Sequence, residues 1–217
     1  MDIDFINPLE DYFGDFIQSL TIQHLGSKVV FHDKKNAPDL SQIQIAIIGV
    51  PENRGSQNGQ SYSDLYAIRE NFYKLYPGNW DVSIADLGDI QPGETVEDTY
   101  FAVKNTVNIL LKKNIIPIIL GGSQDLTYAM YRGYDNLDQM VNLVSVDKAF
   151  DLDKAEITTP AESYISRMIL EEPNNLFNYS NLGYQTYYNA QEEIDLLENL
   201  YFEAYRLGEV ADKTHVA

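Results

Sequence analysis

From residue 43 onward the chain alternates between two hydrophobic rhythms. Residues 43–50 (IQIAIIGV), 115–120 (IIPIIL) and 141–146 (VNLVSV) are short, nearly continuous apolar runs. Runs of that length bounded by small or acidic residues predict strands buried on both faces. Between them the period changes to that of a helix. Leu65, Ile68, Phe72 and Leu75 share one face until Pro77-Gly78 stops the pattern, and Tyr100, Val103, Val107 and Leu110 share another. Thr95 and Asp98 have capping-box spacing at the start of that second helix, which should end near Lys113-Asn114.

The remaining elements follow in the same order. Residues 80–87 read as a strand ending in Gly88-Asp89, 126–132 as a short helix, 161–170 as a helix, and 175–188 as a strand. Residues 191–200 read as a helix and 202–207 as a final strand. Strand and helix in alternation predict right-handed βαβ units, an α/β fold with a mainly parallel sheet between helical layers. Residues 1–42 lack that alternation and are expected to form an N-terminal appendage packed on an α/β domain spanning 43–217.

Composition narrows the partners. With 15 Lys+Arg against 33 Asp+Glu the formal charge is -18, so neither a nucleic-acid backbone nor an anionic membrane is a natural partner. There is no cysteine, hence no disulfide and no thiolate ligand or nucleophile. No signal-peptide layout or membrane-length apolar run is present, and a soluble, cytoplasmic protein is expected.

In parallel sheets function collects beyond the carboxyl ends of strands. Two stretches therefore stand out, Gly121-Gly122-Ser123-Gln124-Asp125 and Asp147-Lys148-Ala149-Phe150-Asp151. The glycine pair matches neither dinucleotide nor P-loop spacing and reads as a tight strand-to-helix turn. If the segment after residue 146 stays extended, Asp147, Ala149 and Asp151 point the same way and two carboxylates face one ion. Acids at such positions also commonly face water or cap helices. Lys148 is expected on the opposite face. The tyrosine-rich stretch 179–188 reads as a buried strand with aromatic packing, with use at an interface as the alternative. His24 and His32 read as surface or packing histidines rather than ligands, and His215 lies outside every motif.

These stretches, with Gly49-Val50-Pro51 before a glycine-containing loop ending at Gly59, Ala67-Ile68-Arg69 and Asp86-Leu87-Gly88-Asp89, resemble the arginase, agmatinase and formimidoylglutamase family of ureohydrolases, most of all its formimidoylglutamase-like branch. The resemblance implies a three-layer αβα fold and a dinuclear manganese centre whose bridging hydroxide attacks a formimino or guanidino carbon. It implies ligands from GG-x-H, D-x-H-x-D and a later S-x-D-x-D motif. Here Gln124 and Ala149 stand where the first two motifs have histidine, while Asp147 and Asp151 remain. Asp147, Asp151 and Gln124 are thus the candidate metal ligands, with manganese as the cofactor if any is held.

The third motif and the last two strands, which the resemblance places between the third and fourth strands, do not occur before Ala217. Strands three and four are then expected to pair directly, to accept strands from a homo-oligomer or protein partner, or to belong to a longer protein, with the last two preferred. The leading reading is a ureohydrolase-like protein with a decayed metal site that acts by binding or assembly. The alternatives are a metal-dependent hydrolase active in a longer or complemented form, and a plain doubly wound ligand-binding domain.

Overall fold

The computed structural model describes residues 5–35, 37–57, 64–154 and 160–213, so Gly59 and His215 lie outside the described residues. The chain divides into two compact units, Met1–Gly133 and Tyr134–Ala217.

The first unit is built on β3 (Ile45–Val50), with α2 (Leu65–Tyr73), β4 (Ile84–Ile90), α3 (Val96–Lys112), β5 (Ile116–Gly121) and α4 (Leu126–Arg132) following in order. Both β4 and β5 pair with β3 in parallel, as the alternation predicts. Ile47 and Ile48 of β3 are shielded from water on both faces, which stabilises each by about 1.5–3 kcal/mol. On α3 the expected capping box forms: the Asp98 N–H donates to Thr95 Oγ1 at 3.2 Å and the Thr95 N–H to Asp98 Oδ2 at 2.8 Å.

The strand expected at 80–87 begins later and runs further. Trp80 lies exposed beyond a Pro77-Gly78 turn, and the strand continues through Gly88, whose φ of 94° and close approach to the Asn7 carbonyl exclude a side chain. That approach belongs to the N-terminal stretch. β1 (Ile6–Asn7) pairs antiparallel with β4 at Asp89 and Ile90, while β2 (Val30–Phe31) pairs parallel with β4 at Ala85 and Asp86. Between them α1 (Asp11–Ser19) delivers Phe13 into a core with Leu9, Val29, Ile47 and Tyr73.

The second unit has β6 (Val141–Val146), α5 (Pro160–Leu170), β7 (Leu176–Tyr184), α6 (Gln191–Asn199), β8 (Glu203–Arg206) and α7 (Leu207–Lys213). Its three strands are parallel in the order β6-β7-β8. The strand expected to reach 188 stops at Tyr184, one residue past an irregularity at Gly183 (φ 101°), and a single 3-10 turn follows at Thr186–Tyr188. The tyrosines divide accordingly, with Tyr179 and Tyr184 buried and Tyr187 and Tyr188 exposed.

Strands three and four of the sequence reading, β5 and β6, do not pair with each other: β5 belongs to the first sheet and β6 to the second. Among the described residues each has one strand neighbour, β3 and β7 respectively. Ile116 N donates to Gln44 O and Gly122 N to Val50 O, so the even-numbered residues of β5 face β3. Pro117, Ile119 and Gly121 therefore face the other edge, and Pro117 brings no N–H to it. Apolar side chains on both strands are uncovered, Ile116 to 61% and Val146 to 82%.

Candidate functional site

In the first unit, the carboxyl ends of β3 and β5 are locked together by backbone contacts. Gly122 N donates to Val50 O, and Ser123 N to Glu52 O at 2.7 Å. A Cβ on Gly122 would lie 1.7 Å from the Glu52 carbonyl oxygen, so the second glycine is required by close approach. The pair is a tight turn, as its spacing predicts.

Glu52 itself is buried, and its carboxylate accepts from Arg54 N at 2.9 Å, from the Arg54 guanidinium at 2.5 Å and from Thr99 Oγ1 at 2.9 Å. Burial alone would raise its pKa; the hydrogen bonds from Arg54 and Thr99 outweigh this and hold it below the usual carboxylate range. Arg54 in turn donates to the carbonyls of Gly93 and Glu94 at 2.9 and 2.8 Å, tying the loop after β3 to the start of α3. Asp125, also buried, accepts from the Tyr100 hydroxyl and packs its carboxylate against Gly55, leaving Oδ1 with no partner among the described residues. Gln124 lies between these two fixed neighbours, Ser123 and Asp125, with its side chain exposed.

The Ala67-Ile68-Arg69 and Asp86-Leu87-Gly88-Asp89 motifs have a structural role here. Arg69 is wholly buried and donates Nε to Asp86 Oδ2 at 2.8 Å and Nη2 to Asp86 Oδ1 at 3.1 Å and Gly88 O at 3.2 Å. Nη1 opposes Asp89 Oδ1 at 2.7 Å as an ion pair without hydrogen-bond alignment, and the Tyr73 hydroxyl donates to Asp86 at 2.5 Å. Burial disfavours the charge on Arg69, but the carboxylates of Asp86 and Asp89 outweigh it and hold its pKa above the ordinary value. The cluster fastens α2 to β4. Its signals in the sequence are the two motifs themselves, an arginine in a helix that must cover a buried strand and two aspartates at that strand's carboxyl end.

In the second unit, the segment after β6 is not extended. Residues 147–149 bend, Ala149 N donates to Asp147 Oδ1 at 3.2 Å, and Asp151 takes a left-handed backbone with φ 54°. Asp147 and Asp151 are therefore brought together by a turn and not by strand alternation. Asn189 holds that turn from outside, its Oδ1 accepting from Phe150 N at 2.8 Å and its Nδ2 donating to Lys148 O at 2.9 Å. Asn181 holds it from below, donating to Ala149 O at 3.0 Å and Ser145 Oγ at 2.9 Å, while Tyr179 bonds the same Ser145 hydroxyl. Neither asparagine was legible as a site residue, since each meets the turn from more than 30 positions away. Lys148 places its Nζ 4.1 Å from the centre of the Tyr188 ring.

Asp151 is unlike Glu52. Burial first, and then the carboxylates of Asp147, Glu193, Glu162 and Asp153, push its pKa up to about 7. At neutral pH it is poised between a neutral acid and a carboxylate that a cation would stabilise.

Asp147 and Asp151 belong to the second unit and Gln124 to the first. The donors at the motif positions are two carboxylates and one amide oxygen, with no imidazole. Carboxylate and amide oxygens without imidazole fall short of the nitrogen-and-oxygen donors of a dinuclear manganese centre. His24 accepts from Thr21 N through Nδ1, and His32 donates through Nδ1 to Leu87 O, both far in sequence from these motifs.

An α/β chain with mainly parallel strands and polar tips at their carboxyl ends is the class defined by these features. Residues 43–216 match the arginase family, and the chain belongs to it. Within the family its similarity runs to formimidoylglutamases. It is 27% identical over 169 residues to the formimidoylglutamase of Streptococcus gordonii, covering 71% of this chain and 51% of that protein. The chain thus spans about half the length of that curated relative. Formiminoglutamase of Trypanosoma cruzi, solved with Mn2+, superposes with a TM-score of 0.71 at 20% identity over 84% of this chain and 66% of that one. Formimidoylglutamase of Bacillus subtilis superposes with a TM-score of 0.71 at 18% identity over 92% and 67%.

Proposed function

We propose that this chain is a formimidoylglutamase-like ureohydrolase relative whose metal site has decayed and which acts by binding or assembly, not catalysis. The observation that carries the reading is Gln124 and Ala149 at the two positions where the resemblance implies histidine, with Asp147 and Asp151 retained. The turn retains its acids, and Ala149 supplies no nitrogen to share a metal with them. Isothermal titration with manganese at pH 8 is expected to give weak, substoichiometric heat. Tight uptake of two ions per chain, abolished by Asp147→Asn, would overturn the reading.

A second reading is favoured by the single strand neighbour that β5 and β6 each have among the described residues, together with the partial coverage of the relatives. In it, further polypeptide supplies the remaining strands and ligands, from a longer protein or a partner, and the complete assembly hydrolyses a C–N bond of a formimino or guanidino compound with manganese. Metal-dependent release of ammonia, formamide or urea by such an assembly, lost in Asp147→Asn, is the expected outcome. Absence of turnover across a panel of these substrates would exclude it.

A further inference from the structure

The first unit carries a cleft at the end of its sheet opposite the strand tips described above. It is about 380 Å³ in volume, within the range of small-molecule sites, and Ile45 and Ile84, the first residues of β3 and β4, line it beside Val29. Both walls are tied by backbone. One is the 3-10 turn Leu25–Lys28, where Leu25 N donates to Leu75 O at 2.7 Å and a Cβ on Gly26 would lie 2.7 Å from the Tyr73 Cβ. The other is the chain after α2, where Leu75 N donates to Phe72 O at 3.1 Å and Trp80 N to Pro77 O at 3.4 Å. Walls tied in this way are preorganised for a ligand.

The second wall leaves apolar surface in water. Leu75, Tyr76 and Trp80 are 55%, 68% and 78% exposed. Tyr76 packs on the His24 ring at 5.3 Å, but Trp80 has no ring partner among the described residues, so its indole is open to stacking.

The polar side chains that line the cleft can all donate. Lys28 is the single charged lining residue, on a chain with 33 acids against 15 bases, and among the described residues its ammonium has no ion pair or hydrogen bond. Trp80 Nε1 and the Tyr76 hydroxyl add two further donors, likewise without partners among the described residues. Asp81, beside Trp80 in sequence, lines a different hollow with Ser41 and Ser83. An unpaired cation next to an open aromatic wall complements an anion with an apolar, planar body. We propose that this cleft binds a small aromatic monocarboxylate. The ring lies on Trp80 and Leu75, and the carboxylate meets the Lys28 ammonium.

Trp80 is the only tryptophan of the chain, so its fluorescence reads the cleft directly. Titration of the full chain with 3-phenylpropionate, and with 3-phenylpropanamide and 3-phenylpropylamine as the neutral and cationic counterparts, tests the proposal. A saturable change in emission is expected for the carboxylate, with the amide weaker by about threefold, as befits an exposed ammonium, and the amine weaker still. Lys28→Glu changes an exposed residue and is expected to invert the order, the amine then binding more tightly than the carboxylate. Trp80→Leu, also at an exposed position and followed by calorimetry, is expected to weaken 3-phenylpropionate by roughly tenfold. No saturable change, equal affinity for the three compounds, or an order that Lys28→Glu leaves unaltered would overturn the proposal. So would a dimer of the unliganded chain that Trp80→Leu dissolves, since a second copy would then be the occupant of the cleft.

Discussion

Glu52 and Asp151 are both acids placed just beyond a parallel strand, and their surroundings drive them in opposite directions. Glu52 is enclosed by Arg54 and Thr99, which stabilise its charge below the usual pKa. Asp151 is enclosed by Asp147 and three further carboxylates and rises to about 7. The first unit has closed its strand tips with internal partners: Arg54 for Glu52, Arg69 for Asp86 and Asp89, Tyr100 for Asp125. The second has kept acids that repel one another. Neutralisation from within marks a structural fastener, whereas burial and neighbouring carboxylates hold Asp151 well above its ordinary range.

The largest test of that contrast is Arg69→Met. It removes the buried counter-ion of Asp86 and Asp89, so a loss of about 3–5 kcal/mol is expected, read by urea denaturation with hydrogen exchange on β3 and β4. A loss under about 1 kcal/mol would mean the cluster is not what fastens α2 to the sheet. Next is Gly122→Ala. Its added carbon collides with the Glu52 carbonyl, a backbone atom, and about 1–3 kcal/mol should be lost from the same unit with no local change around Asp151.

Asp151→Asn should act through pH. The unfolded chain releases this proton near the ordinary value of about 3.9, but the folded chain keeps it until about 7. Between those values the unfolded state binds fewer protons, so the stability of the second unit falls as pH rises through that window and the full cost persists above it. Asparagine tolerates the left-handed backbone at this position and does not titrate. The variant is expected to flatten the profile, gaining roughly 1–2 kcal/mol at pH 8 after allowance for partial exposure and nothing at pH 4. An unchanged profile would show that Asp151 is not the unbalanced acid. The smallest effect is Lys148→Met. Loss of the contact with Tyr188 should cost about 0.5–1 kcal/mol, and a larger loss together with a further rise in the titration midpoint of Asp151 would show that the lysine serves the acids instead of the ring.

Much of the fold was legible because it rests on local pattern. Residues 141–146 read as a strand and form β6 at those bounds, Leu126–Arg132 is the short helix expected, and Thr95 with Asp98 caps α3 as the spacing requires. The candidate acids were legible for the same reason, as residues following a buried run. Their geometry was not. The alternation rule assumes an extended chain, and the bend at 147–149 depends on Asn181 and Asn189, which reach it only after β7 has paired with β6. Likewise Val30 and Phe31 carry no strand signal of their own beyond two apolar residues. They become β2 because β4 offers them an unpaired edge.

Periodicity, turn residues and the substitution of Gln124 and Ala149 at motif positions are properties of short stretches, fixed by backbone sterics and side-chain chemistry wherever the chain folds. They are enough to predict an α/β chain with polar strand tips, and they include the motifs that resemble this family. Whether a given acid is a fastener or an unbalanced charge depends on groups that approach from distant positions, as Arg69 does to Asp86 and Glu193 to Asp151. Desolvation and Coulomb energy depend on distance in space, and only the tertiary structure sets those distances.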